Sequence, residues 1–191
     1  MLFLCLFSIL LLGSVEANIG RAGFKPYLNE YFVETGTYGG EGIAKAIQAG
    51  FNHIISLEIH HPSVIGAKQR FKQYPNVTII EGSSKDILWD AIKEINHCIT
   101  FWLDAHVYPG VEGSQNTPLI EELEQIKMHP IKNHIILIDD MSCCDTLAFD
   151  YITKENIESK IREINPNYTI EYIVGGDADE AINNILVAHI K

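Results

Sequence analysis

The stretch Tyr31-Phe32-Val33-Glu34-Thr35-Gly36-Thr37-Tyr38-Gly39-Gly40 decides how this chain is read. Five residues of strand character run directly into a glycine-rich turn. Residues 42–49 follow with Ile43 and Ile47 on one helical face. Glycines at such a point let the backbone turn sharply into the helix and approach a ligand closely. A strand, a glycine turn and a helix form the opening unit of a sheet whose crossovers are helical.

The same alternation continues outward from that unit. Residues 53–59 form a second, almost continuously apolar run, as a strand covered on both faces requires. Pro62 opens the next helix from its first turn, with Ile65 and Phe71 along it. Residues 77–80 read as the third strand and 86–95 as a helix striped by Ile87, Leu88, Ala91, Ile92 and Ile95. The fourth strand covers 98–103, and a Gly- and Pro-containing loop covers 108–116. A helix over 118–128 turns Leu119, Ile120, Leu123 and Ile126 inward. The fifth strand is 134–138. The helix over 154–164 keeps Ile157, Ile161 and Ile164 in register until Asn165-Pro166-Asn167 stops it. Two strands close the chain, 168–174 and 185–190, joined by a link beginning Gly175-Gly176. Five β-α units followed by two consecutive strands predict an α/β fold. The expected architecture is a Rossmann-like, doubly wound seven-stranded sheet, mostly parallel with an antiparallel C-terminal hairpin.

Residues 1–17 read as a secretory-type signal peptide. Residues 2–12 are apolar except for Ser8, and Val15 and Ala17 place small residues where a signal peptidase needs them. The run is too short to span a bilayer, so no stable membrane span is expected. Residues 18–191 are then one domain, secreted or held in the secretory pathway or periplasm; without a working leader the expected compartment is the cytoplasm. Cysteine usage shows no framework of spaced pairs: Cys98 sits in an apolar run and should be a buried small hydrophobe, and Cys143 and Cys144 are adjacent. Fourteen basic residues against 25 acidic ones give a net charge of −11, which repels phosphate backbones and argues against a nucleic-acid partner.

In a doubly wound sheet, ligands bind outside the carboxyl ends of the strands. The first strand ends in the glycine turn and the second in Glu58, a carboxylate able to accept hydrogen bonds from both hydroxyls of a ribose. The third ends in Glu81-Gly82-Ser83-Ser84, the fourth in Asp104-Ala105-His106, and the fifth in Asp139-Asp140. His60-His61 is a metal pair only in composition, because adjacent side chains rarely point together. Trp102, within a strand, is expected in the core.

With these strand ends, the chain resembles the class I S-adenosylmethionine-dependent methyltransferases over essentially all of residues 18–191. Their first strand carries an acid followed by glycines at the second, fourth and sixth positions after it. Glu34, Gly36 and Gly40 match, while Tyr38 stands at the middle position beside Gly39. The motif style is similar to the macrolide-sugar and catechol metal-dependent O-methyltransferases. The dinucleotide fingerprint G-x-G-x-x-G fails at Tyr38 and Glu41. The resemblance implies S-adenosyl-L-methionine as cofactor. Its methionine moiety would lie over Glu34, Thr35, Gly36, Gly39 and Gly40, its ribose on Glu58, and its adenine near Gly82, Ser83 and Ser84. Asp104 would adjoin it. Ser83 departs from the Asp that many relatives carry.

The metal-dependent branch also places an acid after the fourth strand and an acidic pair, or Asp-Asn, after the fifth. Asp104, Asp139 and Asp140 match, which implies Mg²⁺ held by hard oxygen ligands. Such an ion lowers the pKa of an acceptor hydroxyl, and Asp104 or His106 is the candidate catalytic base. A carboxylate ending a strand also caps the next helix in many proteins, and that plainer role stays open for Asp139 and Asp140. The expected function is metal-assisted O-methylation of a small hydroxylated acceptor. The alternative is an exported, catalytically silent Rossmann-like domain that binds a ligand or partner; its motive is the leader, because S-adenosylmethionine is made in the cytoplasm. No sizeable insertion exists to recognise the acceptor, so residues 18–30 and 105–117 must do so, alone or with a second subunit of a homo-oligomer.

Overall fold

A computed structural model of the chain describes Ile19 and residues 23–106, 116–175 and 184–191. The expected signal peptide lies outside the described residues, as do positions 108–115 of the expected loop and 176–183 of the last link. The strands are β1 (Tyr31–Thr35), β2 (His53–Glu58), β3 (Val77–Glu81), β4 (Ile99–Leu103), β5 (Ile135–Ile138), β6 (Thr169–Ile173) and β7 (Ile185–His189). The helices are α1 (Glu41–Ala49), α2 (His61–Arg70), α3 (Ser84–Ile92), α4 (Leu119–Met128) and α5 (Lys154–Ile164).

The strands form one sheet in the order β3-β2-β1-β4-β5-β7-β6. β7 runs antiparallel to both β5 and β6, and the other pairs are parallel. The expected terminal hairpin is therefore present, and its second strand is inserted between β5 and the first. Burial explains the insertion. Ile185, Leu186, Val187 and Ala188 are all fully buried, as an interior strand requires, whereas β6 is half-exposed along its length and takes the edge. The order reverses between β1 and β4, so a crevice opens at their carboxyl ends.

Successive strand residues feed opposite faces of the sheet. Phe32 and Trp102 pack with Ile43, Ala46, Val64 and Ala67 on the side of α1 and α2. Val33 and Phe101 pack with Leu88, Leu123, Ile126 and Ile161 on the side of α3, α4 and α5. Trp102 is a core residue, with no exposed surface.

Local packing adds two features and changes one expectation, the burial of Cys98. Ile65 is 56% exposed because Val64 and Ala67 carry the inward face of α2. Cys98 is only half-buried, and its thiol donates to Asn133 Oδ1 at 3.2 Å. Two short 3-10 turns, Met141–Cys143 and Leu147–Phe149, fill the segment before α5 and bury Met141 and Phe149. α5 itself starts on a reciprocal cap, with Thr153 Oγ1 accepting from Asn156 N and Asn156 Oδ1 accepting from Thr153 N. No helix among the described residues is long and apolar enough to cross a membrane.

Candidate active site

The turn after β1 and the end of β4 are built as one unit. Gly36 has φ +81°, and a Cβ there would lie 2.7 Å from the backbone oxygen of Asp104. Asp104 N donates back to Thr35 O at 3.1 Å and to Thr35 Oγ1 at 3.3 Å. Glycine at 36 is thus demanded both by its left-handed backbone and by the neighbouring strand.

Glu34 is not displayed in the crevice. It is 1% exposed beneath the turn, where its carboxyl fills the space that Gly42 leaves by lacking a side chain. Ser56 Oγ donates to Glu34 Oε2 at 2.6 Å and shares a second hydrogen bond with Thr37 Oγ1 at 2.5 Å. Burial pushes the Glu34 carboxyl up to about 8, against the Ser56 bond and with help from the charge of Glu58. Glu34 is therefore mostly neutral at pH 7 and acts as a brace under the turn.

Glu58 closes β2 with both oxygens engaged by backbone. Oε2 accepts from Tyr38 N at 2.8 Å and Oε1 from His60 N at 2.7 Å. Beside it, Tyr38 and Ile59 are 67% and 65% exposed. Gly82 N bonds Glu58 O at 2.9 Å, which sets the end of β3 against the end of β2. Ser83 caps α3 positionally, and Ser84 is buried in its first turn. His60 and His61 diverge: His60 Nδ1 meets Ser63 Oγ, and His61 Nδ1 meets Glu81 Oε1, each at 2.9 Å.

Across the crevice, one ligand atom each from Asp104, His106 and Asp140 lies within 4.8 Å of the others. His106 Nε2 stands 3.3 Å from Asp140 Oδ2, and its Nδ1 stands 3.7 Å from Asp104 Oδ1. Asp139 lies outside that group and accepts from Asp140 N through Oδ1 at 2.8 Å. Burial drives the Asp104 carboxyl well above the usual carboxylate range, and the charges of Asp139, Asp140 and Glu34 drive it further. Asp104, His106 and Asp139 line a small crevice together with Glu122 of α4, over the apolar floor of Leu119 and Phe149. Glu122 is 1% exposed, and its Oε1 has no hydrogen-bond partner among the described residues. Burial raises its pKa to about 7, against hydrogen bonds from Ser84 and Thr35.

Sequence reasoning missed Tyr38 and Ile59 as exposed apolar surfaces, Asn184 behind Asp140, and Glu122. The signal for Glu122 was available. Leu119, Leu123 and Ile126 define the buried side of α4, and position 122 falls on that side.

No protein-family model and no curated protein matches the chain. Solved structures do match it. One assigned as an rRNA methylase from Clostridium thermocellum superposes with TM-score 0.60 at 17% identity, covering 92% of this chain and 97% of its own. An O-methyltransferase from Bacillus cereus in complex with S-adenosylhomocysteine gives 0.58 at 15%, covering 88% and 77%. The O-methyltransferase TomG from Streptomyces achromogenes, in complex with S-adenosylmethionine, gives 0.57 at 12%, covering 87% and 75%. The chain shares the fold of these solved structures.

Proposed function

We propose that this chain binds S-adenosylmethionine and transfers its methyl group to a hydroxyl of a small acceptor, with a divalent ion assisting. The observation that carries the reading is the junction at the sheet's switch point. A glycine turn, the Glu58 carboxylate and the Asp104–His106–Asp140 group all open from one edge, and Gly36 locks the first against the last.

The residues fit the methyl donor. Each Glu58 oxygen takes one backbone N–H and keeps a second lone pair, so both still have capacity for ribose hydroxyls. The exposed faces of Tyr38 and Ile59 offer apolar cover for a purine, with Gly82, Ser83 and Ser84 on its far side. Gly36, Gly39 and Gly40 would underlie the methionine portion; a Cβ at Gly39 would meet nothing within 4 Å, so the surface above it is open. Glu34 and Thr35 hold that turn from beneath.

When bound, the sulfonium supplies an electrophilic methyl group, and an ion such as Mg²⁺ lowers the pKa of the acceptor hydroxyl. Asp104 and Asp140 would hold such an ion through oxygen, while Asp139, expected with them, is turned to Asp140 N and stands aside; the second oxygen of Asp104 would receive the acceptor's proton. The net charge of −11 favours a small molecule over nucleic acid as acceptor. Residues 1–17 we read as an export leader.

Calorimetry with S-adenosylhomocysteine tests the proposal. The wild type should bind. Glu58→Ala should weaken binding by about 1.5–3 kcal/mol, the range for hydrogen bonds to a charged acceptor. Absence of binding by the wild type would end the transferase reading, and an unchanged Kd in the variant would remove Glu58 from the site.

A further inference from the structure

We propose that the metal site is formed by Asp104, His106 and Asp140, and that it selects a first-row transition ion of the Mn²⁺ kind over Mg²⁺. This deepens the metal-assisted reading and rests on it for the ion's purpose. The ligand set rests on geometry. Asp104 and His106 follow β4, Asp140 follows β5, and these two parallel neighbours end on one edge. The three ligand atoms already lie within 4.8 Å of one another. Ligand bonds near 2.1 Å would close them around an ion after an adjustment of about half an ångström.

The way Asp140 is held supports the assignment. Its backbone is left-handed, at φ +54°, in a residue with a side chain. Asn184 stabilises that conformation from three directions. Its Nδ2 donates to Asp140 Oδ1 at 3.1 Å, its Oδ1 accepts from Ser142 N at 2.9 Å, and its main-chain oxygen accepts from Met141 N at 2.9 Å. Asn184 immediately precedes β7, so the insertion of that reversed strand beside β5 is what delivers it. One oxygen of Asp140 is thereby tied back, while Oδ2 faces His106. A ligating carboxylate oriented through its other oxygen is how metal sites fix their ligands, and strained backbone persists where surroundings enforce it.

A second observation points to an occupant. Glu122 lines the same crevice as Asp104 and His106, is 1% exposed, and has a carboxyl oxygen without a partner among the described residues. A buried oxygen in that condition costs free energy unless something bound there donates to it, and a water on an ion does so. The ion's identity follows from the imidazole. Nitrogen ligands raise affinity along the series from Mn²⁺ towards Zn²⁺, whereas Mg²⁺ prefers oxygen and keeps its waters.

Titration of the purified full chain with Mn²⁺, followed by loss of the aqua-ion EPR signal, tests this with Mg²⁺ as competitor. One Mn²⁺ per chain is expected, displaced by Mg²⁺ only at about hundredfold excess or more. His106→Ala should weaken Mn²⁺ binding about tenfold or more and erase the preference over Mg²⁺, while Asp139→Asn leaves the affinity within about threefold. If His106→Ala does not fold, broadening of the His106 imidazole ¹⁵N resonances of the wild type by substoichiometric Mn²⁺ decides the same point, and unbroadened resonances overturn the proposal. Loss in Asp139→Asn with none in His106→Ala would give the site to carboxylates alone. No Mn²⁺ uptake would leave His106 standing between two carboxylates with no ion at the site. Either result overturns the proposal. S-adenosylhomocysteine binding measured without metal on the same samples keeps the two readings apart, since Mn²⁺ uptake without it would sink only the transferase.

Discussion

Replacing Gly36 by Ala tests whether the two halves of the candidate site are mechanically joined. Alanine at φ +81° costs about 1–2 kcal/mol, because Cβ crowds the following carbonyl in left-handed backbone. The added methyl would also stand 2.7 Å from Asp104 O, 3.0 Å from Asp104 C and 3.2 Å from Ala105 Cα. These are backbone atoms with no rotamer to escape into, so overpacking adds about 1–3 kcal/mol. The expected loss is the sum, about 2–5 kcal/mol, a large share of the about 5–15 kcal/mol typical of a domain. β1 and β4 pair from Tyr31 with Ile99 to Thr35 with Leu103, so the strain can be relieved only past the last pair. Relief there parts Asp104 from Thr35 and displaces the turn and Asp104 together. Urea unfolding should show the loss with an unchanged m value, and affinities for S-adenosylhomocysteine and Mn²⁺ should fall in parallel. Gly39→Ala is the stability control, because its Cβ would meet nothing within 4 Å. If Gly36→Ala lost less than about 0.5 kcal/mol, the scatter of an ordinary surface change, and bound ligand as before, the close approach of turn and strand would be refuted.

Two further outcomes follow from burial and from the leader. Folded Glu122 keeps its proton to about pH 7, whereas the unfolded chain releases it near 4.5. Its contribution to stability is therefore full below pH 4.5 and is lost as pH rises to about 7, by ~3 kcal/mol in total. Glu122→Gln lacks that slope and should gain on the wild type between pH 4.5 and pH 8; a pH-independent difference between the two would show that Glu122 is not held neutral. Mass spectrometry of the chain recovered from an exporting host should find Asn18 as the first residue, and an intact Met1 in the cytoplasm would remove the leader.

The strands and helices that read best from sequence are those whose signals are local. β1 and α5 take the expected bounds, the first because a glycine turn ends it and the second because Thr153 and Asn156 cap it. The terminal hairpin was legible from two consecutive strands, but its insertion was not. Which strand β7 pairs with depends on the relative burial of β6 and β7, a property of the assembled sheet. The same division holds at the site. Gly36, Glu58, Asp104 and Asp140 were legible because a parallel sheet sends every strand end to one edge. Glu122 arrives from a helix and Asn184 from a strand running the other way, so no spacing near either residue announces its place.

The acids at this edge make physical sense only if they are divided by burial. Glu34 and Glu122 sit at 1% exposure, with pKa values raised to about 8 and about 7, so at pH 7 folding removes most of the charge of Glu34 and about half that of Glu122. They pack beneath the edge, one under the glycine turn and one beside the β4 end. Asp104 is also raised by burial, but its setting differs, because it and Asp140 stand on either side of the His106 imidazole at the crevice. Their repulsion is reduced by a positive charge between them, and a divalent ion offers twice that of a protonated histidine. A sheet edge built only for stability would carry hydrogen-bonded neutral groups at these positions. Keeping two carboxylates aimed at one point, with one of them braced by Asn184 in a strained backbone, is the kind of local conflict that folds retain at functional sites.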